Sequence, residues 1–126
     1  MAEGILNSFD SELKVISAGT EPSARVHPMA IKAMNEINID ISNNYPKLVD
    51  DFAFDNFDYV ITVCGGAKDN CPVFSGKVRN QIHIGFDDPA EATGTTEEIM
   101  AEFIRIRNEI YRDFKSFYTE QITPLI

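Results

Sequence analysis

The order of segments along this chain predicts an α/β fold with a parallel sheet, and three stretches carry the prediction. Phe57-Asp58-Tyr59-Val60-Ile61-Thr62-Val63 is rich in β-branched and aromatic residues, the pattern of a strand buried on both faces. Asn80-Gln81-Ile82-His83-Ile84-Gly85-Phe86 reads as a further strand, closed by Asp87-Asp88-Pro89. After it, Thr95 and Glu98 form a capping box that opens a long helix. The apolar face of that helix is Ile99, Phe103, Ile106, Ile110, Phe114 and Phe117, in steps of three and four. Residues 1–126 suit one domain with one core.

The remaining elements follow in order. Ala2, Ile5, Leu6 and Phe9 keep helical spacing, so the sequence opens in a short helix. Leu13-Lys14-Val15-Ile16-Ser17-Ala18-Gly19 reads as a strand ending in a glycine turn. Pro28 takes the first position of a second helix, whose stripe is Met29, Ala30, Ala33, Met34 and Ile37. Ile39-Asp40-Ile41-Ser42 is short and extended, Asn43 to Pro46 form a turn, and Leu48 to Phe54 a short helix. Three strands are few for such a sheet.

Composition narrows the function. A net charge of −9 argues against nucleic acid or an anionic membrane as partner. An acidic chain that handles an anion must build a local positive site. No apolar run reaches the roughly 18 residues of a membrane span. Met1-Ala2-Glu3-Gly4 has no basic n-region, so a cytoplasmic setting is expected. Two cysteines do not make a disulfide scaffold.

Those cysteines are the candidate chemistry. Cys64 stands where the Phe57–Val63 strand gives way to Gly65-Gly66, at the edge where open α/β sheets bind ligands. Exposed N–H groups of a following helix favour its thiolate. Cys71 comes seven residues later. On one continuous helix the two lie roughly 10 Å apart, too far for a disulfide, so pairing requires that weak helix to unwind. Two buried structural thiols are the alternative reading. With no histidine or further cysteine close by in sequence, zinc is not expected, and the residues suggest no other cofactor. Asp88, at the carboxyl edge of the sheet, can deliver a proton to a leaving oxygen or simply shape an Asp-Pro turn. Asp87 and Lys68 read as solvated, His27 as a helix-start residue and His83 as a strand residue.

Six stretches in order resemble one family: Met1-Ala2-Glu3-Gly4, Ser17-Ala18-Gly19-Thr20, Val26-His27-Pro28, Ile39-Asp40-Ile41-Ser42, Phe57-Asp58-Tyr59-Val60 and Phe86-Asp87-Asp88-Pro89. They look like the low-molecular-weight protein tyrosine phosphatases and the thioredoxin-coupled arsenate reductases that share their fold. The spacing of Cys64 and Cys71, and Ala90-Glu91-Ala92 after the Asp-Pro, resemble the reductase branch. The resemblance implies a cascade. A first cysteine attacks the oxyanion, Cys64 attacks that cysteine, Cys71 resolves the disulfide, and thioredoxin is the external reductant. It implies Asp88 as general acid. Glu3 and Ser17 match positions that hold a monovalent cation in some reductases; Lys47 stands where those carry an Asp, and its ammonium takes the ion's place, so no metal is expected. The family's Cys-x5-Arg loop, whose N–H groups and guanidinium cradle the oxyanion, is absent: Asn70 lies six residues after Cys64, and Lys77 six after Cys71. The resemblance implies three α/β/α layers, here with a sheet missing its first, central strand, so the expectation is an inactive chain in this form and a homo-oligomer formed through the exposed strand edges. A tyrosine phosphatase of the same fold and a non-catalytic binding remnant are the alternatives.

Overall fold

A computed structural model describes residues 1–10, 12–18, 26–45, 47–48, 52, 56–64 and 77–122. Its elements are helix α1 (Ala2–Phe9), helix α2 (Pro28–Asn35), strand β1 (Asn56–Cys64), strand β2 (Lys77–Phe86), a 3-10 turn (Pro89–Glu91) and helix α3 (Thr96–Phe117), which runs into a π-helical turn (Tyr118–Ile122). β1 and β2 pair in parallel, Asn56 against Lys77 through Thr62 against His83. A parallel pair needs a crossover of about a dozen residues or more, and residues 65–76 provide that length.

Helix α3 is the hub of the described core. The capping box forms as the sequence predicts: Thr95 accepts from the Glu98 amide at 3.1 Å and Glu98 reaches back to the Thr95 amide. Phe103, Ile106, Ile110, Phe114 and Phe117 are all buried along one face, while Ile99 is partly buried against the same core. Against that face lie Ile5 and Leu6 of α1, Ala30, Ala33 and Met34 of α2, and Phe86 of β2. Tyr59 of β1 meets Phe117 edge-on with centroids 5.3 Å apart, and Phe86 stacks on Phe114 at 6.0 Å.

Helix α2 ends with every orphan carbonyl of its last turn occupied. Lys32 accepts from the Glu36 amide, Asn35 from Asn38, and Met34 from both Ile37 and Ile39. Ala33 accepts instead from a side chain 74 residues away, Arg107 Nη1 at 2.8 Å. Asn38 sits just past the end at φ 62°, a left-handed position that asparagine tolerates.

Two strand expectations are corrected. Leu13–Ser17 forms no strand, and the sheet of described residues has two strands rather than three. The reason lies in the hydrogen bonds: the Ser17 amide donates to the Glu3 carboxylate at 3.0 Å rather than to a neighbouring strand. β1 is not buried on both faces either, since residues 56–63 are all half-buried or exposed. Its side away from α3 carries polar pairs with β2, with Arg79 3.7 Å from Asp58 and Thr62 2.7 Å from His83. The expected helix over Leu48–Phe54 lies largely outside the described residues.

Candidate functional site

Parallel pairing puts the carboxyl ends of β1 and β2 on one edge of the sheet, and Cys64 and Asp88 both belong to that edge. Cys64 closes β1 and pairs with Phe86, two residues before Asp88. The ladder slips at this point. From Thr62 to Cys64, β1 advances two residues while β2 advances three, from His83 to Phe86. Such irregularities interrupt ladder bonds and re-aim the chain. Val63, inside the slip, is 41% exposed although Tyr59 and Ile61, which share its strand parity, pack on the core. The Cys64 side chain and residues 65–76, Cys71 and Lys68 among them, lie outside the described residues.

Asp88 is exposed and caps the turn that follows it, its Oδ1 accepting from the Ala90 amide at 2.9 Å. Proline at the next position suits that cap, because it has no N–H to satisfy. Asp87 is exposed, as expected, and Arg105 Nη2 of α3 stands 3.5 Å from its Oδ2. No sequence signal singles out this arginine, which sits at helical spacing from Glu102 and Glu109 and reads as part of a charged outer face.

A second cluster joins three segments distant in sequence. Glu3 Oε1 accepts from the Ser17 amide at 3.0 Å and from the Ser17 hydroxyl at 3.3 Å. Lys47 Nζ lies 3.4 Å from the same oxygen and donates to the Tyr45 carbonyl at 3.1 Å. Both charged side chains are largely enclosed, 16% exposed for Lys47 and 11% for Glu3. The Lys47 ammonium also sits 4.6 Å over the Tyr45 ring. This cluster borders a cleft of about 170 Å³ lined by Met1, Val26, Ile41 and Asn44 besides Glu3, Ser17 and Tyr45. Of the residues singled out beforehand, the fold thus gathers Glu3, Ser17 and Lys47 at one place, and the backbone of Cys64 with Asp88 at another.

The histidines hold structural places. His27 caps α2, its Nδ1 accepting from the Met29 amide at 3.1 Å, and lies 4.7 Å from the Phe103 ring. His83 pairs with Thr62 on the sheet. Among the described residues no group of three His, Cys, Asp or Glu side chains is placed to hold a metal ion, and no helix is long and apolar enough to cross a membrane.

Comparison with known proteins gives consistent matches. The family model of the low molecular weight phosphotyrosine protein phosphatases matches residues 1–122. An arsenate reductase of Bacillus subtilis (strain 168) is 46% identical over 118 residues, covering 93% of this chain and 84% of the relative. Among solved structures, an arsenate reductase in the phosphate-binding state superposes with a TM-score of 0.75 at 28% identity, covering 94% of this chain and 86% of the other. A thioredoxin-dependent arsenate reductase of Corynebacterium glutamicum superposes at 0.54 with 27% identity, over 95% of this chain and 55% of its own.

Proposed function

Since the chain belongs to the low molecular weight phosphotyrosine protein phosphatase family, we propose that it is an arsenate reductase, running a thiol–disulfide cascade through Cys64 and Cys71 with thioredoxin as reductant. The observation that carries the reading is the placement of Cys64 at the carboxyl edge beside the Asp88 turn, with Cys71 seven residues on. The similarity to arsenate reductases over almost the whole chain supports it.

A cysteine thiolate displaces an oxygen of arsenate, and Asp88 gives its proton to that oxygen so that it leaves as water. Cys64, as thiolate, then attacks the arsenylated sulfur. The S–As electron pair stays with arsenic, which departs as arsenite, and a disulfide forms between the two cysteines. Cys71 attacks Cys64, making the Cys64–Cys71 bond and releasing the first cysteine as a thiolate. A dithiol reduces that bond and is itself oxidised to a disulfide.

Residues 1–126 contain no Cys followed six residues later by Arg, so in this reading the first nucleophile and its oxyanion cradle come from an additional N-terminal segment. Residues 1–126 alone then turn over neither arsenate nor aryl phosphate. The Lys47 ammonium beside Glu3 and Ser17 serves as an internal cation, at the positions where the family resemblance implies a monovalent ion in some reductases. The site needs no metal and the cellular setting is the reducing cytoplasm.

The test compares residues 1–126 with a form carrying the segment encoded upstream, assayed with thioredoxin, thioredoxin reductase and NADPH. Arsenate-dependent NADPH oxidation by the longer form, lost in Cys64→Ser and Cys71→Ser, is expected. Hydrolysis of p-nitrophenyl phosphate without arsenate reduction assigns a phosphatase instead. Turnover by residues 1–126 that depends on Cys64 overturns the need for a further nucleophile.

A further inference from the structure

The Asp87-Asp88-Pro89 stretch is held at three places. Phe86, just before it, is buried and stacked on Phe114. Asp88 closes its own turn through the Ala90 amide at 2.9 Å. The third tie is Arg105, Nη2 to Asp87 Oδ2 at 3.5 Å. An isolated surface pair at that distance contributes little, but a guanidinium fixed by a network is a different case. Glu102 takes Arg105 Nε at 3.3 Å and Nη2 at 2.7 Å, and Glu109 takes Nη1 at 2.6 Å. The bidentate grip fixes the plane of the fork, so holding Asp87 requires no further ordering of a long side chain. These carboxylates push the Arg105 pKa above its ordinary value, chiefly through the Glu102 hydrogen bond, so the charge is permanent.

We propose that Arg105 is a positioning residue for Asp88: set on α3 by Glu102 and Glu109, its guanidinium anchors the neighbouring Asp87 carboxylate and so orients the Asp88 carboxyl at the sheet edge. This rests on the reading of Asp88 as the proton donor. A proton donor on an exposed turn is useful only while its carboxyl stays within hydrogen-bond reach of the leaving oxygen, and a displacement of 1 Å lowers rates by about a hundredfold. Tying Asp87 to a long helix gives the turn the rigidity it lacks by itself.

The test uses the protein of residues 1–126 and amide hydrogen exchange resolved by NMR. Arg105 is exposed enough that Arg105→Gln leaves the core intact, and unchanged exchange at Ile110 and Phe114 verifies this. The expected result is exchange at Ala90 about fivefold faster in Arg105→Gln, the size of a roughly 1 kcal/mol tie. Asp87→Asn should match it, the double variant should add nothing, and Arg105→Lys should recover part of the protection. A merely structural arginine would not show that non-additivity. Ala90 exchange within about twofold of the parent in Arg105→Gln, or fully additive effects of the two substitutions, overturns the coupling. Full turnover by Asp88→Asn in the longer, reductase-active form overturns instead the reading of Asp88 on which the proposal rests.

Discussion

Arg107 is the one charged residue buried among the described ones, at 7% exposure, and its bonds show what it does there. Besides the Ala33 carbonyl it reaches Glu36 at 3.3 Å and the Asn108 side chain at 2.9 Å, so its charge is matched and its fork is used. A cation at the C-terminal end of α2 also favours the helix dipole. Arg107→Met keeps the volume but leaves the Ala33 carbonyl without its donor, and we expect a loss of about 1–3 kcal/mol in urea unfolding. At the C-terminal end of α3, the Tyr118 hydroxyl donates to Asp10 Oδ2 at 3.2 Å. Burial first, and then the hydrogen bond and charge of Asp10, raise its pKa above the ordinary 10.0. A raised folded-state value favours the neutral phenol. The stability tied to it is therefore present below about pH 10 and lost as pH rises through the folded value. Thermal melts of the parent should fall relative to those of Tyr118→Phe only above that pH.

At the scale of elements, α1 meets the chain after α2 at a glycine. A Cβ on Gly4 would stand 2.7 Å from Ile41 Cγ2 and 3.2 Å from Ile39 Cγ2. Alanine is the better helix former by about 1 kcal/mol, but Ile41 is 1% exposed and enclosed by the core. Overpacking of such a site costs about 1–3 kcal/mol, so Gly4→Ala should lower the unfolding midpoint in spite of its propensity. A higher midpoint would show that Ile41 has room to move. Because α1 also carries Glu3 to the Ser17 and Lys47 cluster, the same variant should loosen that cluster, seen as faster exchange at the Ser17 amide.

For the whole molecule, the expectation under test is association through Leu13–Ser17 or Phe57–Val63. Leu13–Ser17 forms no strand, and β1 belongs to a two-stranded sheet within the described residues. The Leu13 and Ser17 amides bond within the chain, to the Asp10 carbonyl and the Glu3 carboxylate, but the edges of a two-stranded sheet recruit further chains. Residues 1–126 alone are thus expected to form a homodimer or higher oligomer, with the Leu13–Ser17 or Phe57–Val63 edge at the contact. Light scattering at micromolar concentration is the check, and a stable monomer with a single two-state melt counts against it.

The helices were legible in the sequence because the bonds that make them close within four residues. Thr95 and Glu98 meet across one turn, His27 and Pro28 start α2, and the apolar stripe of α3 appears as written. The two strands that pair were legible for a related reason: their apolar runs end in Gly65 and in Asp87-Asp88-Pro89, which fixed the carboxyl edge and the places of Cys64 and Asp88 on it. The chain's own resemblance to a family grouped Glu3, Ser17 and Lys47 before the fold brought them together. What remained hidden depends on partners far along the chain. Leu13–Ser17 has the residues of a strand, but whether it pairs is decided by what lies beside it, and its Ser17 amide goes to a carboxylate 14 residues away. The slip before Cys64 arises from the register of two strands, not from either alone. Arg105 looks like any surface arginine until the fold sets Asp87, 18 residues earlier, within its reach. Arg107 becomes a helix cap only because α3 lies across the end of α2. Local hydrogen bonding and periodicity are written in a short window of sequence, whereas ladders and long side-chain ties exist only once distant segments share a surface.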